Sequence, residues 1–315
     1  MRMIRLLAAA VLLAAAAISP APAGEEQEQD YDRLHADFKA AYESGDYDRA
    51  LELAEPLYEN TFMRHVMTLY DIAAIHCLKG DREEAYRWLE ETLDAGFWDF
   101  GRLRRDESFA CINQEKKFRT MTRAAWLKQY LAMLERPERA EFQKPEQVMQ
   151  ALAFREGERV ADIGAGSGYF TIPVARAVGD EGVVWAIDIR QEMLDYIRER
   201  LEAEGLENVR LMRVEPDDPQ LPNGKVDTIL MVDMIHYVKD KAAYISRAKE
   251  GLAPGGRMVV IDYIPKPFEE RPWGPPPVQQ VSRETLDAAF AEAGMKPVRA
   301  HDFLTEQYFV EYAAE

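Results

Sequence analysis

Short apolar strands alternating with amphipathic helices over 138–315 predict an α/β fold: a doubly wound, seven-stranded sheet with an antiparallel hairpin at its C-terminal end. An all-α domain over 31–120 precedes it. Three observations carry this prediction. The strand Arg159–Ile163 runs straight into a glycine-rich turn, the strand Val183–Asp188 ends in a carboxylate, and no strand pattern occurs before residue 138.

The 315 residues carry 39 Lys and Arg against 56 Asp and Glu, a net charge of −17. Composition is that of a globular protein and excludes a wholly disordered, collagen-like or polytopic membrane chain. No basic stripe is present, so nucleic acid is not expected as a partner. Two cysteines, Cys77 and Cys111, are too few for a disulfide scaffold or a Cys-rich zinc site. They could pair in an oxidising compartment, but sequence alone does not make them neighbours. His35, His65 and His76 lack metal-ligand spacing, and no metal is expected.

At the N-terminus, Arg2 and Arg5 precede an apolar run over 6–18 and then Ser19-Pro20-Ala21-Pro22-Ala23. A basic start, a short apolar stretch and a small-residue cleavage site read as a secretory signal over 1–23. The run falls short of the roughly 20 residues a membrane-spanning helix needs. The expectation is an exported, periplasmic protein with no stable membrane span.

Over 31–120 the residues Gly45-Asp46 recur as Gly80-Asp81, and Ala50 as Ala85, both 35 positions apart. Glycine ends one helix, aspartate caps the next, and the small alanine permits close crossing. The region resembles tetratricopeptide repeats, which implies a surface for docking a protein or peptide, or a gate. A helical connector over 121–137 stops at Pro137. The polar stretch Glu141-Phe142-Gln143-Lys144-Pro145 marks the boundary to the domain at 138–315.

In that domain, strands are expected at Arg159–Ile163, Val183–Asp188, 208–214, Val226–Val232, 257–262, 298–303 and 307–312. Helices follow at Thr171–Val178, 192–204, 242–252 and 282–293. The last two strands have no helix between them and form the hairpin.

Gly164, Gly166 and Gly168 sit where a strand meets a helix, so a ligand can approach the backbone without Cβ obstruction. Asp188 ends the next strand, placed to accept both hydroxyls of a ribose. A dinucleotide site would share these features, but its glycines are spaced Gly-x-Gly-x-x-Gly, and here they are Gly-x-Gly-x-Gly. Asp162 just before the loop adds negative charge, which suits a sulfonium.

The run Val160-Ala161-Asp162-Ile163-Gly164-Ala165-Gly166-Ser167-Gly168-Tyr169-Phe170-Thr171 resembles the first motif of class I S-adenosylmethionine-dependent methyltransferases, built on a Rossmann-like sheet. Ala186-Ile187-Asp188-Ile189 is similar to their ribose-binding acidic motif. Asp217-Asp218-Pro219-Gln220-Leu221-Pro222, the stretch from Val226 to Asp233, and Leu252-Ala253-Pro254-Gly255-Gly256-Arg257 complete the set. The style is that of quinone-biosynthesis methyltransferases and small-molecule relatives. The resemblance implies S-adenosylmethionine as cofactor, met by Asp162, Gly164, Gly166, Gly168, Tyr169, Asp188 and Ile189. It further implies Asp217 or Asp218 at the adenine amino group and Asp233 beneath the methionine end. Glu215-Pro216 stands where relatives carry Gly before the adenine-side Asp.

The sulfonium is an activated leaving group, so the protein chiefly aligns the acceptor and excludes water. A base is needed only if the acceptor must lose a proton, and His236, after the fourth strand, is the candidate, with Tyr237, Asp262 and Tyr263 on the same rim. The Pro265 to Pro277 stretch, with Trp273, reads as a loop over the acceptor site. The function expected is methyl transfer to a small-molecule acceptor. S-adenosylmethionine is made in the cytoplasm, so an exported methyltransferase has no obvious supply of it. Either the signal reading is wrong and the protein is cytoplasmic, or it acts before or during export, or the fold binds something else. The alternative function is a non-catalytic exported binding or scaffold protein on the same fold.

Overall fold

The computed structural model describes residues 33, 34, 36–41, 44, 46–271 and 273–314. The expected signal over 1–23, His35 and Gly45 lie outside them. The chain divides into two compact units between Met133 and Leu134.

In the first unit, residues 36–41 are helical. Helix α1 (Tyr47–Leu78) follows, with Asp46 accepting from the Arg49 N–H at its start. The repeat spacing predicts two helices here; one continuous helix runs through Pro56 instead. Nothing between Asp46 and Lys79 supplies the glycine that a turn requires, so the 35-residue period does not build a second helical pair in this segment. Its C-terminal half is as expected: Gly80 adopts φ +79°, and Asp81 caps α2 (Arg82–Asp94) through the Glu84 N–H. Ala85 is buried against α1.

Helix α3 (Phe100–Arg105), a 3-10 turn (Glu107–Phe109) and α4 (Lys116–Leu134) complete the unit. Val66, Tyr70, Leu89, Leu103, Phe109 and Phe118 form its core. The Tyr70 hydroxyl donates to Asp106 at 2.5 Å inside it. Cys77 and Cys111 are joined in a disulfide, Cα to Cα 5.6 Å, tying the end of α1 to the chain after the 3-10 turn. No described helix is long and apolar enough to cross a membrane.

The second unit opens on α5 (Glu138–Gln143) and α6 (Pro145–Leu152), so the polar stretch read as a boundary is helical, interrupted only at Lys144 (φ +44°). Then come β1 (Arg159–Ile163), α7 (Thr171–Val178), β2 (Val183–Asp188), α8 (Gln191–Glu204), β3 (Val209–Arg213) and β4 (Val226–Val232). A 3-10 turn (Ile235–Tyr237), α9 (Lys241–Glu250), β5 (Leu252–Tyr263), α10 (Arg283–Glu292), β6 (Met295–His301) and β7 (Gln307–Ala314) follow.

These strands make one seven-stranded sheet, order β3-β2-β1-β4-β5-β7-β6. All neighbours are parallel except β7, which is antiparallel to both β5 and β6. Two edges differ from expectation. Pairing of β5 with β4 begins already at Leu252, with a bulge absorbing the Pro254-Gly255-Gly256 turn before Arg257, and β6 starts at Met295 rather than 298.

Alternation along β4 explains why both faces must be covered. Ile229 and Met231 pack with Tyr244, Leu286 and Phe290 on one face; Leu230 and Val232 pack with Val174, Val178 and Leu152 on the other. Successive side chains point to opposite faces, so a strand apolar at every position needs a helical layer on each side. The strand order reverses between β1 and β4, and the carboxyl edge of the sheet beside that switch is where such folds hold ligands.

Candidate functional site

The glycine loop leaves β1 and is pinned to its neighbour: the N–H groups of Gly164 and Ala165 both donate to the Ile187 carbonyl, at 2.8 and 3.0 Å. Gly164 (φ +76°) lies so close to the residue after Asp233 that an added Cβ would come within 2.7 Å of Met234 Cβ. Gly168 (φ +81°) faces Ile197 in the same manner. Only glycine takes these positions without strain. Ser167 is buried between them, and its Oγ has no hydrogen-bond partner.

Asp188 ends β2 against this loop. One carboxylate oxygen accepts from the Gly166 N–H at 2.9 Å and the other from the Arg190 N–H at 2.8 Å. Burial raises its pKa, opposed by those two hydrogen bonds and the Arg190 charge. Each oxygen keeps a lone pair for a further donor, the requirement for gripping a diol. Ile189 beside it is 46% exposed, an apolar surface next to the carboxylate.

Asp162, at the end of β1, is fully enclosed and accepts from the Thr171 hydroxyl at 2.5 Å. Burial pushes its pKa up to about 6, with the Thr171 bond pulling the other way and the Asp188 charge adding to the rise.

Asp233, just past β4, adopts φ +54°, a left-handed conformation that aspartate tolerates better than most residues. Its carboxylate is held by Gln143 Nε2 at 3.0 Å and by Gln307 Nε2, with Arg139 3.6 Å away. Arg139 in turn donates to Gln143 Oε1 at 2.6 Å and lies 4.1 Å from the centre of the Tyr169 ring. Burial raises the Asp233 pKa and the Arg139 charge opposes it.

His236 Nδ1 is 2.8 Å from Asp262 Oδ1, and the Asp262 carboxylate also accepts from the Tyr263 N–H at 2.7 Å. With a carboxylate as acceptor, Nδ1 carries the proton and Nε2 is the basic nitrogen. The Tyr237 ring, exposed beside it, is tilted against the imidazole with ring centres 4.1 Å apart.

Asp217 and Asp218 are exposed in the turn after β3, on the same carboxyl edge as Asp188: the Val214 N–H donates to the Asp188 carbonyl. Asp218 uses one oxygen on the Gln220 N–H of its own turn. The structure thus brings Asp162, Gly164, Gly166, Gly168, Asp188 and Ile189 to one loop, Asp233 and Tyr169 to one polar cluster with Arg139, and His236 to Asp262. Sequence reading missed Arg139, Gln143 and Gln307. The one available signal was Arg139 and Gln143 spaced i, i+4, on a stretch read as a polar boundary.

The glycine cradle and the donor set suit a nucleoside with a positively charged sulfur. Residues 160–256 match a family model described as a methyltransferase domain. The ubiquinone/menaquinone biosynthesis C-methyltransferase UbiE of Teredinibacter turnerae is 36% identical over 110 residues, 35% of this chain and 44% of that protein. The aklanonic acid methyltransferase DauC of a Streptomyces strain is 33% identical over 102 residues, 32% and 46% of the two chains. The chain thus spans under half the length of these curated relatives. A SAM-dependent methyltransferase of Aquifex aeolicus superposes with a TM-score of 0.53 at 28% identity, over 59% of this chain and 95% of that one. The match over 160–256 and the seven-stranded sheet together mark a class I methyltransferase domain in the second unit. The cofactor for which such a domain is built is S-adenosylmethionine.

Proposed function

We propose that the protein transfers the S-adenosylmethionine methyl group to a small-molecule acceptor. The observation that carries this is the Asp188 carboxylate folded over the Gly164–Gly168 loop, with a hydrogen bond from Gly166 and lone pairs to spare. UbiE and DauC act as methyltransferases on small molecules by their names, which supports the same acceptor class here.

When bound, the cofactor supplies an activated methyl electrophile. The chain's own residues would do the rest. Asp188 holds the ribose hydroxyls, with Ile189 beneath the base and Asp217 or Asp218 at its amino group. Asp233, fixed by Gln143, Gln307 and Arg139, offers an anchored carboxylate to the methionine ammonium. Asp162 places negative charge behind the loop. His236, oriented by Asp262, takes a proton at Nε2 from an acceptor that must lose one. Proximity and dehydration supply most of the rate, since no covalent intermediate is required.

We assign the helical unit a docking or gating role, supported by its possession of an apolar core of its own. Export is part of the same proposal. The N-terminal signal pattern supports it, as does the Cys77–Cys111 disulfide, a bond that persists in oxidising compartments. Incubating the full chain with methyl-labelled S-adenosylmethionine and a panel of phenols, quinols and carboxylic acids tests the activity. Label in product with wild type and none with Asp188→Ala is expected, and the absence of transfer to every acceptor class would count against it.

A further inference from the structure

Arg271 lies in the segment between β5 and α10, with a side chain only 1% exposed. One terminal nitrogen donates to the carbonyls of Ile264 and Glu306, at 2.9 and 3.2 Å, and stands 3.8 Å from the Glu306 carboxylate. Its Nε and its other terminal nitrogen are buried with no hydrogen-bond partner. Buried guanidinium N–H groups are seldom left this way, because the lost hydration has nothing to replace it. Burial also lowers the affinity of this guanidinium for its proton, with the Glu306 charge acting in the opposite sense.

The two orphaned nitrogens share one edge of the guanidinium plane. Their N–H bonds are parallel, the fork that grips both oxygens of a carboxylate at once. Aromatic rings pack against this guanidinium. The Arg271 guanidinium carbon is 4.9 Å from the Tyr263 ring centre and 5.7 Å from that of Trp273. The Phe142 ring is tilted against Trp273, centre to centre 4.4 Å. The same wall adjoins the reacting end of the site: Tyr263 follows Asp262 in sequence, and its ring lies 6.1 Å from the His236 imidazole. Tyr263 therefore stands next to both the proton-accepting dyad and the orphaned fork.

We propose that the acceptor is a planar aromatic acid, its carboxylate held by the Nε edge of Arg271 and its ring packed against Tyr263 and Trp273. This names the acceptor class and rests on the methyltransferase reading above. A second acidic function on the ring, a phenol or an enol, is what His236 would deprotonate.

The test is titration calorimetry of the full chain with 4-hydroxybenzoate and with its neutral methyl ester, run with and without saturating S-adenosylhomocysteine. The acid should bind at least about tenfold tighter than the ester, as expected for a charge-assisted bidentate pair. Arg271→Gln should abolish that preference, and Arg271→Lys should retain only part of it. Trp273→Ala should weaken acid and ester alike. Equal binding of the two probes to wild type, tighter binding of the ester, or no binding of the acid overturns the proposal without use of any variant. A preference that survives Arg271→Gln overturns the assignment to Arg271. The S-adenosylhomocysteine titration is read separately, so failure of the methyltransferase reading is distinguishable from failure of this one.

Discussion

His236 and Asp262 form a buried pair: Nδ1 and Oδ1 are 2.8 Å apart, and each side chain is 2% exposed. The backbone N–H groups of His236 and Tyr263 also donate to the same carboxylate, so Asp262 is held from three sides. An imidazole fixed this way has a settled tautomer, with Nε2 as its basic nitrogen. Replacing Asp262 by Ala should cost about 1–3 kcal/mol in stability, because a buried donor loses its acceptor. Nitrogen NMR of His236 should show the proton on Nδ1 in wild type and a mixed population in Asp262→Asn. A wild-type ring protonated on Nε2 alone would refute the proposed base.

Asp188→Ala should weaken S-adenosylmethionine binding by at least about 1.5 kcal/mol, the loss of a charged acceptor to the ribose hydroxyls. Asp188→Asn, which keeps an acceptor for the Gly166 N–H, should lose less. Unchanged affinity in the alanine variant would remove Asp188 from the cofactor site.

Asp162 gives a pH signature. Its folded pKa of about 6 lies above the unfolded value, so the folded state holds the proton more tightly between the two. Stability should therefore fall as pH rises from about 4 to about 6 and level off above, by up to about 3 kcal/mol for this one group. Asp162→Asn should flatten that slope. A cationic sulfonium favours the ionised carboxylate, so affinity for S-adenosylmethionine should rise through the same window more than affinity for S-adenosylhomocysteine. Parallel pH profiles for the two compounds would place Asp162 away from the sulfonium.

The Cys77–Cys111 bond closes a loop of 34 residues' separation. Constraint of the unfolded chain predicts a loss of about 3–4 kcal/mol on reduction or in the Cys77→Ala, Cys111→Ala double variant. Differential scanning calorimetry with and without reductant measures it. An unaltered melting profile would show that the helical unit does not depend on the bond.

For location, a reporter active only outside the cytoplasm, fused after residue 315, should be active, and mass spectrometry should find a mature start at Gly24. A full-length chain in the cytosolic fraction would contradict export.

What could be read in advance follows the range of the interactions. The glycine loop and Asp188 form a strand–loop–helix–strand unit continuous in sequence, so spacing alone exposed them. The Asp233 cluster draws on Gln143 and Gln307, 90 and 74 residues away, and no local pattern announces such a meeting. The partnership of His236 with Asp262 similarly needs β4 and β5 to lie side by side. In the helical unit the recurrence of Gly-Asp was real as capping chemistry at Gly80-Asp81. It misled as a period, because Tyr47 to Leu78 contains no glycine to end a helix in mid-course, and Pro56 alone does not break it.

The most direct test of the account is titration calorimetry of the full-length chain with S-adenosylmethionine, S-adenosylhomocysteine and NAD in parallel. One-to-one binding of the first two is expected, lost together in Asp188→Ala, with no comparable binding of NAD. Tighter binding of NAD, or no binding of either sulfur nucleoside, would contradict it.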